Sequence, residues 1–191
     1  MEKEYWQHIE TGDQNAYSEV YIFYYKRLYN YGRKFTPDTA MIEDAINDVF
    51  TMVWKNRQRL SAIKSPQSYL FSSFRNSLFK KLALQQKKFA HPISGEPEEI
   101  EFSIESIIIE RETDDHLRER IEKALTTLTS RQREAIFLRF YEGVPYAEIA
   151  TIMNVSVKAS YKIMARALAE LKDALGISLL TLLSFFAKNT L

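Results

Sequence analysis

Apolar residues recur at spacings of three and four along most of the chain, and no segment shows the strict alternation of a half-buried strand. Tyr17, Val20, Tyr21, Tyr24, Leu28 and Tyr31 form a first helical stripe. Pro37 predicts that this helix stops near Thr36, because the residue before a proline is pushed out of helical geometry. Ile42, Ala45, Ile46, Val49, Phe50 and Val53 form a second stripe and leave Glu43, Asp44, Asn47, Asp48 and Thr51 facing outward. Ser65-Pro66 has the form of an N-cap followed by proline at the first helical position. It opens a third helix with Leu70, Phe74, Ser77, Leu78 and Leu82 on its core side.

The rhythm fades after Phe89, where His91-Pro92, Gly95 and Pro97 alternate with Glu96, Glu98, Glu99 and Glu101, the composition of a linker. It returns at Leu117, Ile121, Ala124, Leu125 and Leu128. Thr129 and Gln132 have capping-box spacing ahead of Ala135, Ile136, Leu138 and Phe140, and Gly143 closes that helix. A short helix over 146–153 follows. Asn154 then stands where a tight turn needs a left-handed residue, and Ser156 can cap a last helix over 157–175. The pattern predicts an all-α fold of two helical domains, over 1–89 and 113–176, joined by an acidic flexible linker over 90–112 and followed by an apolar tail over 177–191.

Charge changes this picture only when counted by segment. The 191 residues carry 26 Lys+Arg against 25 Asp+Glu, a near-neutral total. Residues 1–89 carry +5, residues 90–122 carry −8 and residues 123–191 carry +4, so two basic ends flank an acidic middle. The absence of cysteine excludes a disulfide scaffold, thiolate metal sites and a cysteine nucleophile. His8, His91 and His116 lie in unrelated contexts, and His116 with Asp114 and Asp115 reads as a helix N-terminus rather than a metal site. With no glycine-rich phosphate loop either, no catalytic residue, metal or cofactor is expected. The beginning of the chain lacks a signal-like apolar region, and the apolar run over 177–187 is about half the ~20 residues a bilayer span needs. A cytoplasmic protein is expected.

Three faces could carry chemistry. The helix, three-residue turn and helix from Tyr146 have the dimensions of a helix-turn-helix. At about 100° per residue, Val157, Ser160, Tyr161, Met164, Leu168, Leu171 and Leu175 cluster on one side of the last helix. Lys158, Ala159, Lys162, Ile163 and Arg166 are left for a DNA groove: the cations for phosphates or guanine edges, Ile163 for a thymine methyl. A solvated amphipathic helix accounts for the same spacing. On the third helix, the side opposite the core stripe displays Ser72, Arg75, Asn76, Phe79 and Lys80. An aromatic among basic and amide groups is the equipment of a single-strand stacking platform, although packing on a neighbouring helix is the commoner role of such a ring. Asp44 and Asp48, spaced i, i+4 with no basic mate on the same face, suit a cationic partner protein or plain solubility.

Together these residues resemble an RNA polymerase sigma factor of the extracytoplasmic-function type. Trp6, Ile9, Gly12-Asp13 and Ala16 are similar to the opening of the family's domain two, and Glu43 through Phe50 with Trp54 to its polymerase-clamp helix. Ser65-Pro66 through Leu82, with Arg75-Asn76, resembles the segment that opens the minus-ten element, and Leu128 through Ala167 resembles domain four, which reads the minus-thirty-five element. The resemblance implies that Asp44, Asn47, Asp48 and Thr51 dock on the beta-prime clamp coiled coil of core RNA polymerase, whose beta flap would meet domain four. It implies that Ser72, Arg75, Asn76, Phe79 and Lys80 capture bases of the minus-ten element. Lys158, Ala159, Lys162, Ile163 and Arg166 would contact minus-thirty-five duplex. The acidic stretch over 96–110 would occupy the path of nascent RNA. A monomer working on promoter DNA is implied, held inactive by an anti-sigma factor; Leu179, Leu180, Leu182, Leu183, Phe185 and Phe186 either clamp back on domain four, the default for such an apolar run, or are candidate contacts for that partner. Asn47 stands where the family usually has glutamine, Lys80 where aspartate is common, and Tyr161 and Ile163 at positions often basic. A stand-alone helix-turn-helix regulator, dimeric on a palindrome, is the second reading; a protein-binding adaptor is a third, and it leaves Lys158, Lys162 and Arg166 without a role.

Overall fold

The computed structural model describes residues 2–89, 100–103 and 115–178, and every regular element among them is helical. The chain divides into two compact units, the first ending at Glu99 and the second beginning at Ile100.

The first unit holds α1 (Glu2–Glu10), α2 (Gln14–Gly32), α3 (Thr39–Lys55), a 3-10 turn (Arg57–Ala62) and α4 (Pro66–Phe89). Local chemistry starts each of the longer helices. Asp13 caps α2 by accepting from the Asn15 and Ala16 amides, Asp38 caps α3 by accepting from Met41 at 3.0 Å, and Ser65 accepts from Ser68 at 3.3 Å ahead of Pro66. The core joins Trp6 and Ile9 of α1 to Tyr24, Leu28 and Tyr31 of α2, Ile42, Ile46, Val49 and Phe50 of α3, and Leu70, Phe71, Phe74 and Leu78 of α4, all buried. Each such side chain contributes about 1.5–3 kcal/mol by leaving water.

Two departures from the sequence pattern follow from how closely these helices pack. The α2 helix ends at Gly32, ahead of the expected stop near Thr36. A β-carbon on Gly32 would lie 2.9 Å from both Ile42 and Phe74, so the backbone itself fills the gap between α3 and α4. The chain turns back there through three-residue bonds, Lys34 N–H to Tyr31 O at 3.2 Å and Phe35 N–H to Gly32 O at 2.9 Å. The inner stripe of α2 is also rotated. Ala16 is buried, whereas Tyr17 and Tyr21 are half-buried and lie against α3.

The second unit holds Ile100–Ser103, α5 (Asp115–Thr126), α6 (Ser130–Ile136) continued by a π turn (Phe137–Tyr141), α7 (Tyr146–Ile152) and α8 (Val157–Leu175). The capping box between Thr129 and Gln132 is formed in both directions. Gly143 (φ 68°) ends the α6 segment and Gly176 (φ 63°) ends α8, while Asn154 (φ 53°) makes the left-handed turn between α7 and α8 and Ser156 caps α8 through the Ala159 amide. Gln132 donates to Glu170 at 2.8 Å, tying α6 to α8, and Arg120 of α5 donates to the Leu175 carbonyl at 2.6 Å.

Part of the stretch read as linker is seated on this unit. Phe102 is 1% exposed and packs 5.8 Å from Phe137, its amide donates to Ser130 Oγ at 3.4 Å, and Glu101 lies 3.5 Å from the Arg133 guanidinium. An isolated phenylalanine in an acidic run carries no periodic signal, so only packing reveals its role. Most of the acidic stretch and the tail from 179 onward lie outside the described residues. No helix among those described is long and apolar enough to cross a membrane.

Candidate nucleic-acid and partner interfaces

The outer side of α3 exposes Asp44, Asn47, Asp48 and Thr51, as the apolar spacing predicts. Most of these polar groups are held by other helices. Lys81 of α4 bridges Asp44 and Asp48, standing 2.8 Å from the latter, and Ser77 donates to Asp48 at 3.0 Å. The Tyr21 hydroxyl donates to Asn47 Oδ1 at 3.2 Å, and the Tyr25 hydroxyl donates to Glu43 Oε1 at 3.2 Å. The aspartates therefore do have a basic mate, supplied by the neighbouring helix. The hydrogen bond from Lys81 is the main reason the Asp48 carboxyl is held below its ordinary range. Burial opposes the charge on Lys81, but its hydrogen bonds to Asp44 and Asp48 outweigh that and raise its pKa.

The tyrosines that reach this face form a ladder along α2. Tyr17 stands edge-on to Trp54 at 5.0 Å and donates to the Phe50 carbonyl at 3.0 Å, Tyr21 packs 4.7 Å from Phe50, and Tyr25 stacks on Tyr29 at 6.1 Å. Burial, and for Tyr25 also the hydrogen bond to Glu43, push the Tyr17 and Tyr25 hydroxyls above their ordinary pKa. Each hydroxyl thus acts as a fixed donor at neutral pH.

On α4, Asn76 and Lys80 are exposed while Ser72, Arg75 and Phe79 are half-buried. Phe79 is not a bare platform. Its ring meets Phe35 edge-to-face at 5.0 Å, and the Arg75 guanidinium sits 4.0 Å from its centroid. The early end of α2 delivers Phe35 to this position. A base captured here has to stack on Arg75 or displace it. Ser72 donates to the Tyr69 carbonyl at 3.2 Å, one turn before this pair.

On α8, Lys158, Lys162 and Arg166 are exposed and recur at i, i+4 and i+8, while Ala159 and Ile163 are half-buried beside them. The buried stripe runs through Ser160, Met164, Ala167, Leu171 and Leu175. Tyr161, which the helical wheel places with the core, is 54% exposed and stacks on Tyr146 at 5.0 Å; Arg139 lies 4.9 Å from the Tyr146 ring. Val157, also on the expected core stripe, is exposed as well. Ser160 is buried in spite of its hydroxyl because that group donates to backbone carbonyls, Val157 at 2.8 Å and Tyr146 at 3.2 Å.

Family models match both units in order: Sigma-70 region 2 over residues 21–88 and Sigma-70 region 4 over residues 118–171. Among curated relatives, the ECF RNA polymerase sigma factor SigK of Mycobacterium bovis (strain BCG / Pasteur 1173P2) is 22% identical over 173 residues, covering 87% of this chain and 89% of its own. The chain is a sigma factor of the extracytoplasmic-function type. SigK of Mycobacterium sp. (strain KMS) is likewise 22% identical, over 175 residues, with 89% of the sigma factor and 88% of the relative covered. Two solved structures share the fold of this sigma factor. CnrH, in complex with the cytosolic domain of CnrY, gives a TM-score of 0.55 at 21% identity, covering 90% of the sigma factor and 95% of CnrH. RpoE of Bartonella quintana, in complex with the anti-sigma factor NepR, gives 0.57 at 18% identity, with 84% and 97% covered.

Among the described residues, no group of three or more His, Asp or Glu side chains could hold a metal ion. The sequence groups Lys81 with Lys80, Lys87 and Lys88 as a phosphate-tracking strip and places Tyr21 and Tyr161 on core stripes, whereas Lys81 pairs with Asp44 and Asp48 and both tyrosines stand at the surface; Tyr25 and Phe102 have no role in that pattern. The i, i+4 repeat of Tyr17, Tyr21, Tyr25 and Tyr29 is the signal that could have found the tyrosines of α2; the places of Lys81, Tyr161 and Phe102 depend on which segment lies beside which.

Proposed function

We propose that the sigma factor binds core RNA polymerase through the α3 face, brings it to promoters and helps melt them, without making or breaking a covalent bond. The first unit carries polymerase docking and minus-ten capture; the second reads the minus-thirty-five element. Asp44, Asn47, Asp48 and Thr51 meet the beta-prime clamp, and the beta flap meets the second unit. Arg75 and Phe79, already paired, take an unstacked base between Ser72 and Asn76 on one side and Lys80 on the other. The energy required is that of unstacking, a few kcal/mol per base. Lys158, Lys162 and Arg166 neutralise phosphates of the minus-thirty-five duplex, with Ala159 and Ile163 nearest the base edges.

The observation that carries this reading is the order of the two sigma-region matches, over 21–88 and 118–171, each laid on the unit whose exposed face has the charge its role needs. A stand-alone helix-turn-helix regulator leaves the first unit without a task. Two solved relatives of the same fold are described as complexes, one with an anti-sigma factor, and this supports an anti-sigma partner here. The sigma factor works as a monomer in the cytoplasm.

Reconstitution tests it. Purified chain added to core polymerase should give run-off transcripts from a subset of genomic fragments, and Asp44→Arg with Asp48→Arg should weaken core binding. Phe79→Ala with Asn76→Ala should impair opening of duplex promoters more than transcription from pre-melted ones. Silence on every upstream fragment, or equal losses on both templates, would overturn the assignment or the melting role respectively.

A further inference from the structure

The two carboxylates assigned to a basic partner are already bridged, and the group bridging them has the chemistry of the partner itself. Lys81 reaches across from α4 to Asp44 and Asp48 with its side chain 23% exposed, while the two aspartates are 65% and 51% exposed. Ser77 donates to Asp48 Oδ2, the same oxygen that Lys81 contacts. Two negative charges and one positive leave the patch with a net charge of −1, and Lys80 adds its own positive field at Asp48.

The fold does not need this bridge. The α3 and α4 helices are joined by Ile42, Ile46, Val49, Phe74 and Leu78, all buried, whereas exposed ion pairs add little to stability. Lysine also suits a removable group: a compact charge on a flexible four-carbon stem, able to swing into water, where an arginine fork would hold both oxygens in fixed geometry. A partner's guanidinium that grips either carboxylate with both arms requires the Oδ2 that Lys81 contacts, and it is repelled by an ammonium left there.

We infer that Lys81 is an internal competitor for the docking face, occupying Asp44 and Asp48 in the free sigma factor and yielding them when a cationic partner binds. It lowers affinity for that partner and so sets how readily the sigma factor enters the polymerase pool. The inference rests on the proposed role of the α3 face in docking.

The experiment measures binding of full-length chain to purified core RNA polymerase. Lys81→Gln and Lys81→Met should bind about two- to fivefold more tightly than wild type, the range expected for removing an exposed ion pair. The gain should come through faster association and shrink at high salt, because the uncovered carboxylates steer from a distance. In a background carrying Asp44→Asn and Asp48→Asn the same substitutions should have no effect, since the coupling they report is gone. Lys81→Arg keeps the bridge and tightens it, so it should bind about twofold more weakly, and it covers the case in which the other variants fold poorly. Unchanged or weaker binding by Lys81→Gln with normal helical content overturns the inference, as does Lys81→Arg binding as tightly as wild type. A wild-type chain that binds core while these variants behave so defeats the inference alone. A wild-type chain that does not bind core defeats the docking assignment with it.

Discussion

Replacing Lys34 with methionine should stabilise the sigma factor at neutral pH and remove a pH dependence that the wild type carries. Lys34 follows the end of α2 and is 2% exposed. Burial, and secondarily the Arg33 charge, lower its pKa from 10.5 to about 7. In the unfolded chain the ammonium keeps its ordinary value, so between pH 7 and 10.5 the unfolded state binds more protons. Stability must therefore rise with pH across that window, by at most about 1.4 kcal/mol per unit. Below the folded value both states hold the proton, and the penalty is constant at its maximum. At pH 7 it is about 4 kcal/mol and at pH 9 about 2 kcal/mol. Tyr17 and Tyr25, pushed above 10, stay silent over this range. Urea unfolding of wild type and Lys34→Met, followed by helical circular dichroism at pH 6, 7, 8 and 9, reads the difference directly. The variant's advantage should be largest at pH 6–7 and fall by about half by pH 9. Contacts that the Lys34 amine keeps in both protonation states would offset the whole profile by a constant without changing its slope. A difference that stays flat from pH 6 to 9 would refute the reasoning.

Gly32→Ala should lower stability by about 1–3 kcal/mol, because its methyl group enters a gap bounded by Ile42 and Phe74 at 2.9 Å; an unchanged urea midpoint would mean that the gap has slack. Phe102→Ala should cost about 3 kcal/mol in the unfolding of the second unit, read from thermal melting of the full chain, and a loss under about 1 kcal/mol would show that the segment is only laid on the surface. Alanine at Lys158, Lys162 or Arg166 should each reduce the slope of log affinity against log salt by about one in holoenzyme binding to duplex promoter, whatever the sequence, and an unchanged slope would remove that residue from the phosphate contacts.

What the sequence made legible is what short-range chemistry decides. Ser65-Pro66, Thr129 with Gln132, Asn154 and Ser156 each satisfy backbone groups within a few residues of themselves, so their spacing alone announces the cap or turn they form. The exposed side of α3 was legible for a similar reason: Ile42, Ala45, Ile46, Val49 and Val53 leave only one face for Asp44 and Asp48. The mate of those aspartates was not, because Lys81 meets them only in the register at which α4 lies beside α3, and helical periodicity is silent on register between helices. Tyr161 was misplaced because it lies about 100° from buried Ser160, at the edge of the stripe, where its ring stacks on Tyr146 and keeps half its surface in water. Ser77, read as a core-side residue, is half-buried and spends its hydroxyl on Asp48. Phe79 packs edge-to-face on Phe35, the commoner role of such a ring, and is half-buried on the face that exposes Asn76 and Lys80.

The way Tyr21, Tyr25, Ser77 and Lys81 hold Asn47, Glu43, Asp48 and Asp44 has a consequence for how such a surface can change. Altering an outward residue of α3 strands a donor rooted in α2 or α4, and altering the donor sets an outward residue loose. The outward surface of α3 is therefore set by a three-helix block. Transplanting α3 alone into a relative would carry the letters of this surface without the grammar that orders them, the hydroxyl donors of Tyr21, Tyr25 and Ser77.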